Sequence, residues 1–208
     1  METFTYADAP VEGLVSIVIP TYHKERYIGE TLNSIGWQTY PHWELFVVED
    51  SSVGPTEQMV ADFARRHPEH RVEYSRNDRN RGAAHSRNVA FAKCRGEFVA
   101  LIDADDRWFP EHLERSVEAL RSTGKDLVYS STVMIEDGTD LLPKTGGPQS
   151  SHPAEFPESL YRRNFITPSA TVMRREVLAD VGPWNTAMKY CEDQDFWLRC
   201  LRMGKQFQ

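Results

Sequence analysis

The chain has 208 residues, 40% of them hydrophobic and 26% charged, with a formal net charge of −7. These values suit one globular domain with a real core, and the acidic balance argues against general nucleic-acid or anionic-membrane binding. No apolar run approaches the roughly 20 residues of a bilayer span, and the N-terminus lacks the basic-then-apolar pattern of a signal peptide. Cys94, Cys191 and Cys200 are odd in number and widely spaced. They read as reduced thiols of a cytoplasmic protein, with neither a zinc site nor a disulfide framework.

Strands and helices alternate along the first two thirds of the chain. Leu14 to Pro20 is β-branched and apolar, a first strand that Pro20 stops. Ile28, Leu32 and Ile35 lie at helical spacing between Arg26 and Gln38. Glu44 to Asp50 (ELFVVED) is a second strand ending in acids. A helix from Pro55 to His67 opens on a proline and ends before Pro68, and Arg71 to Ser75 is a short third strand. Gly82 to Cys94 reads as a helix closed by Gly96. Glu97 to Trp108 (EFVALIDADDRW) then carries a nearly unbroken apolar run, Phe98 to Ile102, as expected of a central parallel strand buried on both faces. A helix from Pro110 to Thr123 ends at Gly124, and Asp126 to Ser131 is a further strand. This alternation predicts a mostly parallel, doubly wound α/β sheet flanked by helices, Rossmann-like in layout.

Beyond Val133 the texture changes. Asp137 to Pro157 is rich in Gly, Pro and Ser and reads as a hairpin plus a long loop, a candidate lid over substrate. Phe156 to Arg163 is a short helix, Ala170 to Met173 a strand, Arg175 to Asp180 a helical turn, and Glu192 to Met203 the last helix. The chain stops at Gln208 just where KQFQ would start another strand, as expected of a truncated domain.

The chemistry concentrates where strands end, which is where open α/β sheets bind ligands. Asp103, Asp105 and Asp106 follow the fourth strand. Clustered carboxylates repel one another unless a cation or donors hold them, and oxygen-only ligands suit Mg²⁺ or Mn²⁺ shared with phosphate; the same acids also suit a helix cap. Pro20-Thr21-Tyr22 puts an aromatic at the end of the first strand, placed either to stack on a base or to pack in a turn. Glu49-Asp50 ends the second, suited to a base edge or a ribose hydroxyl, or to helix capping by Asp50, Ser51 and Ser52. Arg76, Arg79, Arg81 and Arg87 form a local basic cluster matched to a diphosphate, although at least two of them fit a solvated loop. Asn80 stands where it would cap the helix beginning near Gly82. Glu192, Asp193 and Asp195 open the last helix. Asp195 pairs with Arg199 one turn on, Trp197, Leu198 and Leu201 supply much of the buried face, and Asp193 is left either for the helix dipole or as a general base.

In order, VSIVIPTYHKE, ELFVVEDSS, NRGAAHSRN, LIDADD, GPWN and CEDQDFWLR resemble the successive motifs of family 2 glycosyltransferases of the GT-A fold, over about Val15 to Arg202. The resemblance implies an inverting transferase that uses a nucleotide-diphosphate sugar, often UDP-linked, together with a divalent metal (Mn²⁺ or Mg²⁺). It implies a nucleoside pocket at Pro20, Thr21, Tyr22 and Asp50, a D-x-D motif at Asp103 and Asp105 with Asp105 the metal ligand, and Asp193 as the catalytic base. Arg81 is expected to help hold the phosphates. The implied acceptor is a saccharide or a lipid-linked glycan of polysaccharide assembly, met by peripheral contact with the inner face of the membrane. Two departures stand out: His23 where asparagine is commoner, and Glu49 in place of the first of two aspartates. A nucleotidyltransferase would carry a glycine-rich loop after the first strand, where PTYHKE stands instead. A phospho-receiver would be much shorter and carry its acidic pair there. A non-catalytic nucleotide-binding module of the same fold is the remaining alternative.

Overall fold

The fold comes from a computed structural model, which describes residues 4, 6, 8–134, 144–146 and 156–208. Eight strands and seven helices follow one another as β1 (Val11–Thr21), α1 (Ile28–Gly36), β2 (Trp43–Glu49), α2 (Thr56–Arg66), β3 (Val72–Arg76), α3 (Ala83–Phe91), β4 (Gly96–Leu101), α4 (His112–Thr123), β5 (Leu127–Tyr129), β6 (Thr132–Met134), β7 (Lys144–Gly146), α5 (Phe156–Arg162), β8 (Thr171–Arg174), α6 (Arg175–Val181) and α7 (Glu192–Arg202) among the described residues. The main sheet has the order β3-β2-β1-β4-β8-β5. Its first four strands are parallel, and β8 runs antiparallel between β4 and β5. The mostly parallel, doubly wound arrangement expected from the alternating pattern is therefore present.

Side-chain alternation along each strand feeds two separate apolar layers. From β4, Phe98 and Ala100 join the layer that α1, α2 and α4 complete through Leu32, Phe63 and Leu113. Val99 and Leu101 join the layer completed by α3, α6 and α7 through Phe91, Leu178 and Trp197. Phe98 to Ile102 are all fully buried. At roughly 1.5–3 kcal/mol for each large side chain taken out of water, such strands are the anchor of the fold.

Two expectations need adjusting. Gly96 does not close a helix, since α3 ends at Phe91 and Gly96 is the first residue of β4. There the β1–β4 register shifts between Val11 and Val15. A Cβ on Gly96 would stand 2.4 Å from the Leu14 carbonyl oxygen, so a close backbone approach requires the glycine. The buried face of α7 is Phe196, Trp197 and Cys200, with Leu198 and Leu201 only half-buried, because the helix turns its aromatic pair toward Trp184. Of the hairpin and loop expected from Asp137 to Pro157, β7 is described, and it pairs antiparallel with β6, which precedes that stretch. The rest of the expected lid before Phe156 lies outside the described residues. Phe207 makes a parallel bridge to Leu127, so the terminal KQFQ does lie strand-like along β5.

Candidate active site

Sheet register decides what shares the carboxyl edge. Thr21 pairs with Glu49, and Glu49 in turn with Arg76, so β1, β2 and β3 end level. β4 stops beside Val18, which places Asp103 and Asp105 alongside the end of β1. A cavity of about 480 Å³ opens there. Pro20, Thr21, Tyr22, Asp50, Asp103 and Asp105 all line it, joined by Lys24, Asn80, Ser86, Arg87 and Glu192. Of the expected site residues only Arg81 and Asp193 stand outside the wall.

Asp50 is buried, lines the cavity and is held by three donors. Its carboxylate accepts from Asn77 Nδ2 at 2.8 Å, from the Arg81 N–H at 2.9 Å and from the Gly82 N–H at 2.7 Å. It thereby caps α3, whose N-cap Gly82 has φ 87°. Asn80 was expected in that role and instead lines the cavity. The carboxylate delivered by the neighbouring strand meets the amides of Arg81 and Gly82, the two residues that lead into α3. Arg81 contributes its amide to this cap, while its guanidinium pairs with Asp78 on the exposed side. Arg76, the last residue of β3, and Arg79, in the loop after it, are both exposed. Next to Asp50, Glu49 is buried and takes a hydrogen bond from Ser52. Burial raises its carboxyl above the usual carboxylate range against that bond.

The acidic turn after β4 is held at several points. The Asp103 N–H donates to Ser169 Oγ at 2.9 Å, and Ser169 Oγ donates to Asp106 Oδ2 at 2.5 Å. Thr31 Oγ1 donates to the Ala104 carbonyl, and Trp108 Nε1 to the Ser169 carbonyl. Asp106 is thus spent on the scaffold. Loss of solvation, followed by the charges of Asp103 and Asp105, raises its carboxyl against the Ser169 bond.

Asp103 and Asp105 each carry one cation. Arg87 Nη2 donates to Asp103 Oδ1 at 2.5 Å, and Lys24 Nζ lies 2.6 Å from Asp105 Oδ2. Arg87 is built in: its side chain is 4% exposed, it reaches Glu192 at 3.4 Å, and it lies over the Trp184 ring at 4.6 Å. Ala83, Ser86 and Arg87 line the cavity together because they fall at i, i+3 and i+4 on α3. That spacing was the signal in the sequence that singles Arg87 out of its cluster. Lys24 and Glu192 carry no comparable signal. The donor set at the acidic turn is oxygen-only and doubly anionic, which fits a hard divalent cation shared with phosphate oxygens.

Glu192 and Asp193 open α7 after Cys191, which is in the left-handed region at φ 59°. Glu192 faces the cavity, whereas Asp193 accepts from Asn164 Nδ2 at 2.7 Å, one residue beyond the wall. Gln194 Nε2 donates to the Leu160 carbonyl and ties α7 to α5. The expected Asp195–Arg199 pair is present at 2.9 Å, and Arg199 also donates to the Val181 and Pro183 carbonyls. Asn88 exchanges two hydrogen bonds with the Trp184 backbone, fastening the GPWN segment to α3.

Residues 16–182 match the family model described as Glycosyl transferase family 2. The Bacillus subtilis protein named as a teichuronic acid biosynthesis glycosyltransferase, TuaG, is 30% identical over 92% of this chain and 73% of its own length. WfgD of Escherichia coli, named as a UDP-Glc:alpha-D-GlcNAc-diphosphoundecaprenol beta-1,3-glucosyltransferase, is 29% identical over 91% of this chain and 70% of its own. The crystal structure of S. aureus TarS 1–349 in complex with UDP superposes with a TM-score of 0.70, at 27% identity over 88% of this chain. The chain spans about half the length of that solved structure (53%). The fold is the GT-A type.

Proposed function

The chain belongs to glycosyl transferase family 2, and from that premise we propose that it moves a sugar from a nucleotide-diphosphate donor, UDP-linked, to an acceptor hydroxyl with inversion. The observation that carries this reading is the single cavity in which Pro20, Thr21, Tyr22, Asp50, Asp103 and Asp105 converge from three strand ends. The UDP in the TarS complex and the UDP-Glc in the name of WfgD support the choice of nucleotide.

In the proposed mechanism Tyr22, 44% exposed at the cavity rim, stacks on the base. Asp50, rigidly held by α3, receives the remaining donors of the nucleoside. Asp105, with Asp103 beside it, would hold Mn²⁺ or Mg²⁺, which when bound supplies Lewis-acid neutralisation of the departing diphosphate. Arg87 orients Asp103 through its hydrogen bond to Oδ1. Asp193 accepts the proton of the attacking hydroxyl, with Asn164 fixing its carboxylate. Displacement in a single step from the opposite face inverts the anomeric centre. The diphosphoundecaprenol in the name of WfgD supports a lipid-linked glycan as acceptor, met at the inner face of the membrane. Among the described residues no helix is long and apolar enough to cross a membrane.

Calorimetric titration with UDP, with and without Mn²⁺, tests the reading. Metal-dependent binding by the wild type that drops at least about tenfold in Asp105→Ala is the expected result. Absence of UDP binding by the wild type under both conditions would overturn it.

A further inference from the structure

The two cations on the D-x-D acids differ in kind. Arg87 is buried, has two carboxylate partners and is stacked on Trp184. Lys24 is 38% exposed, on a carboxylate that is 39% exposed, and sits in the turn after β1 with one hydrogen bond to Asp105 and its ammonium 5.9 Å from the Tyr27 ring. Ion pairs this exposed hold weakly and exchange readily. Even so, an ammonium at 2.6 Å from Oδ2 occupies one of the two Asp105 oxygens open to a divalent cation and adds a positive charge beside the other.

Resting on the function proposed above, we infer that Lys24 is a displaceable counter-ion at the metal locus, which keeps Asp105 from taking a divalent cation until a nucleotide diphosphate enters. A free cation must either displace the ammonium from Oδ2 or bind Oδ1 against its positive charge, whereas a bound diphosphate offers that ammonium a second anion within the same cavity. Metal and nucleotide then bind with positive coupling, and the coupling resides in Lys24. Arg87 does not compete in this way, because Glu192 and Trp184 hold it whether or not Asp103 has another partner.

Mn²⁺ titration followed by electron paramagnetic resonance, with and without saturating UDP, tests the inference on the wild type, Lys24→Met, Lys24→Arg and Asp105→Asn. Circular dichroism checks that each variant is folded. Without UDP, Lys24→Met is expected to bind Mn²⁺ about 3- to 10-fold more tightly than the wild type, and UDP then raises its Mn²⁺ affinity by a smaller factor. Lys24→Arg keeps the cation and should behave as the wild type does, while Asp105→Asn loses the site. If Lys24→Met binds Mn²⁺ no more tightly while UDP binding is intact, the inference fails and the donor reading stands. UDP bound with no Mn²⁺ site on any variant also overturns it. Absence of UDP binding by the wild type removes both.

Discussion

The two edges of the sheet use the same groups to different ends. At the amino edge Glu44 is buried, and its carboxylate is consumed entirely by the protein: Ser16 Oγ donates at 2.7 Å, the Arg95 amide at 2.9 Å, and the Arg95 guanidinium at 3.0 and 2.8 Å. Ser16 Oγ in turn accepts the Gly96 N–H. Glu44 does not line the 480 Å³ cavity. At the carboxyl edge Asp103 and Asp105 hold one cation each and face 480 Å³ of open space. An acid surrounded by donors is scaffold, whereas an acid with spare coordination facing a cavity is available to a ligand. Charge alone does not separate the two.

Substitutions can break this contrast or sharpen it. The largest effect is expected from Asp193→Asn, which should lower sugar turnover by 10²–10⁴-fold, the usual loss for a general base, while leaving UDP affinity within about twofold. Product formation and calorimetry together check it. Glu44→Ala should do the reverse. It strips Ser16 and the Arg95 amide of their acceptor and should cost about 2–3 kcal/mol in urea unfolding, with UDP affinity unchanged.

A smaller effect is expected from pH. His112 opens α4 and stacks on Trp108 beneath the acidic turn, with ring centroids 4.6 Å apart. Burial lowers its pKa from 6.5 to about 4. The unfolded chain therefore binds a proton at this site between pH 6.5 and 4 that the folded chain excludes. The stabilising contribution is complete above pH 6.5 and is lost as pH falls through that window, by about 1–3 kcal/mol. Unfolding midpoints measured against pH should fall less steeply for His112→Phe. Smallest of all, Arg81→Ala should leave UDP binding within about twofold. Its guanidinium sits on Asp78, outside the cavity wall, and the amide that caps α3 is kept.

The strands were legible because apolar runs such as Phe98 to Ile102 have one economical home, a sheet covered on both faces. The helices followed from period and punctuation, with Gly124 at φ 68° ending α4 as expected. Much of the site was legible too, since acids and Tyr22 at strand ends fall on one edge once the strands run parallel. Less legible were roles that depend on a partner distant in sequence. Asp50 takes over the place at the start of α3 that Asn80 was expected to hold, because β2 delivers a carboxylate to the Arg81 and Gly82 amides across 31 and 32 residues of chain. Gly96 answers to the Leu14 carbonyl, and nothing in its own neighbourhood announces that contact.

What the sequence by itself determined is the layering of the fold and the set of chemical groups at the sheet's carboxyl edge, because periodicity and strand-end position are local properties. The tertiary structure alone decided how those groups are spent. Arg87 was one of four similar arginines until α3 turned it onto Asp103 and over the Trp184 ring. Lys24 was an unremarked turn residue until register set it 2.6 Å from Asp105. Hydrogen bonds and ion pairs act over a few ångströms, so which acids are satisfied and which stay available is set by neighbours that only folding brings within reach.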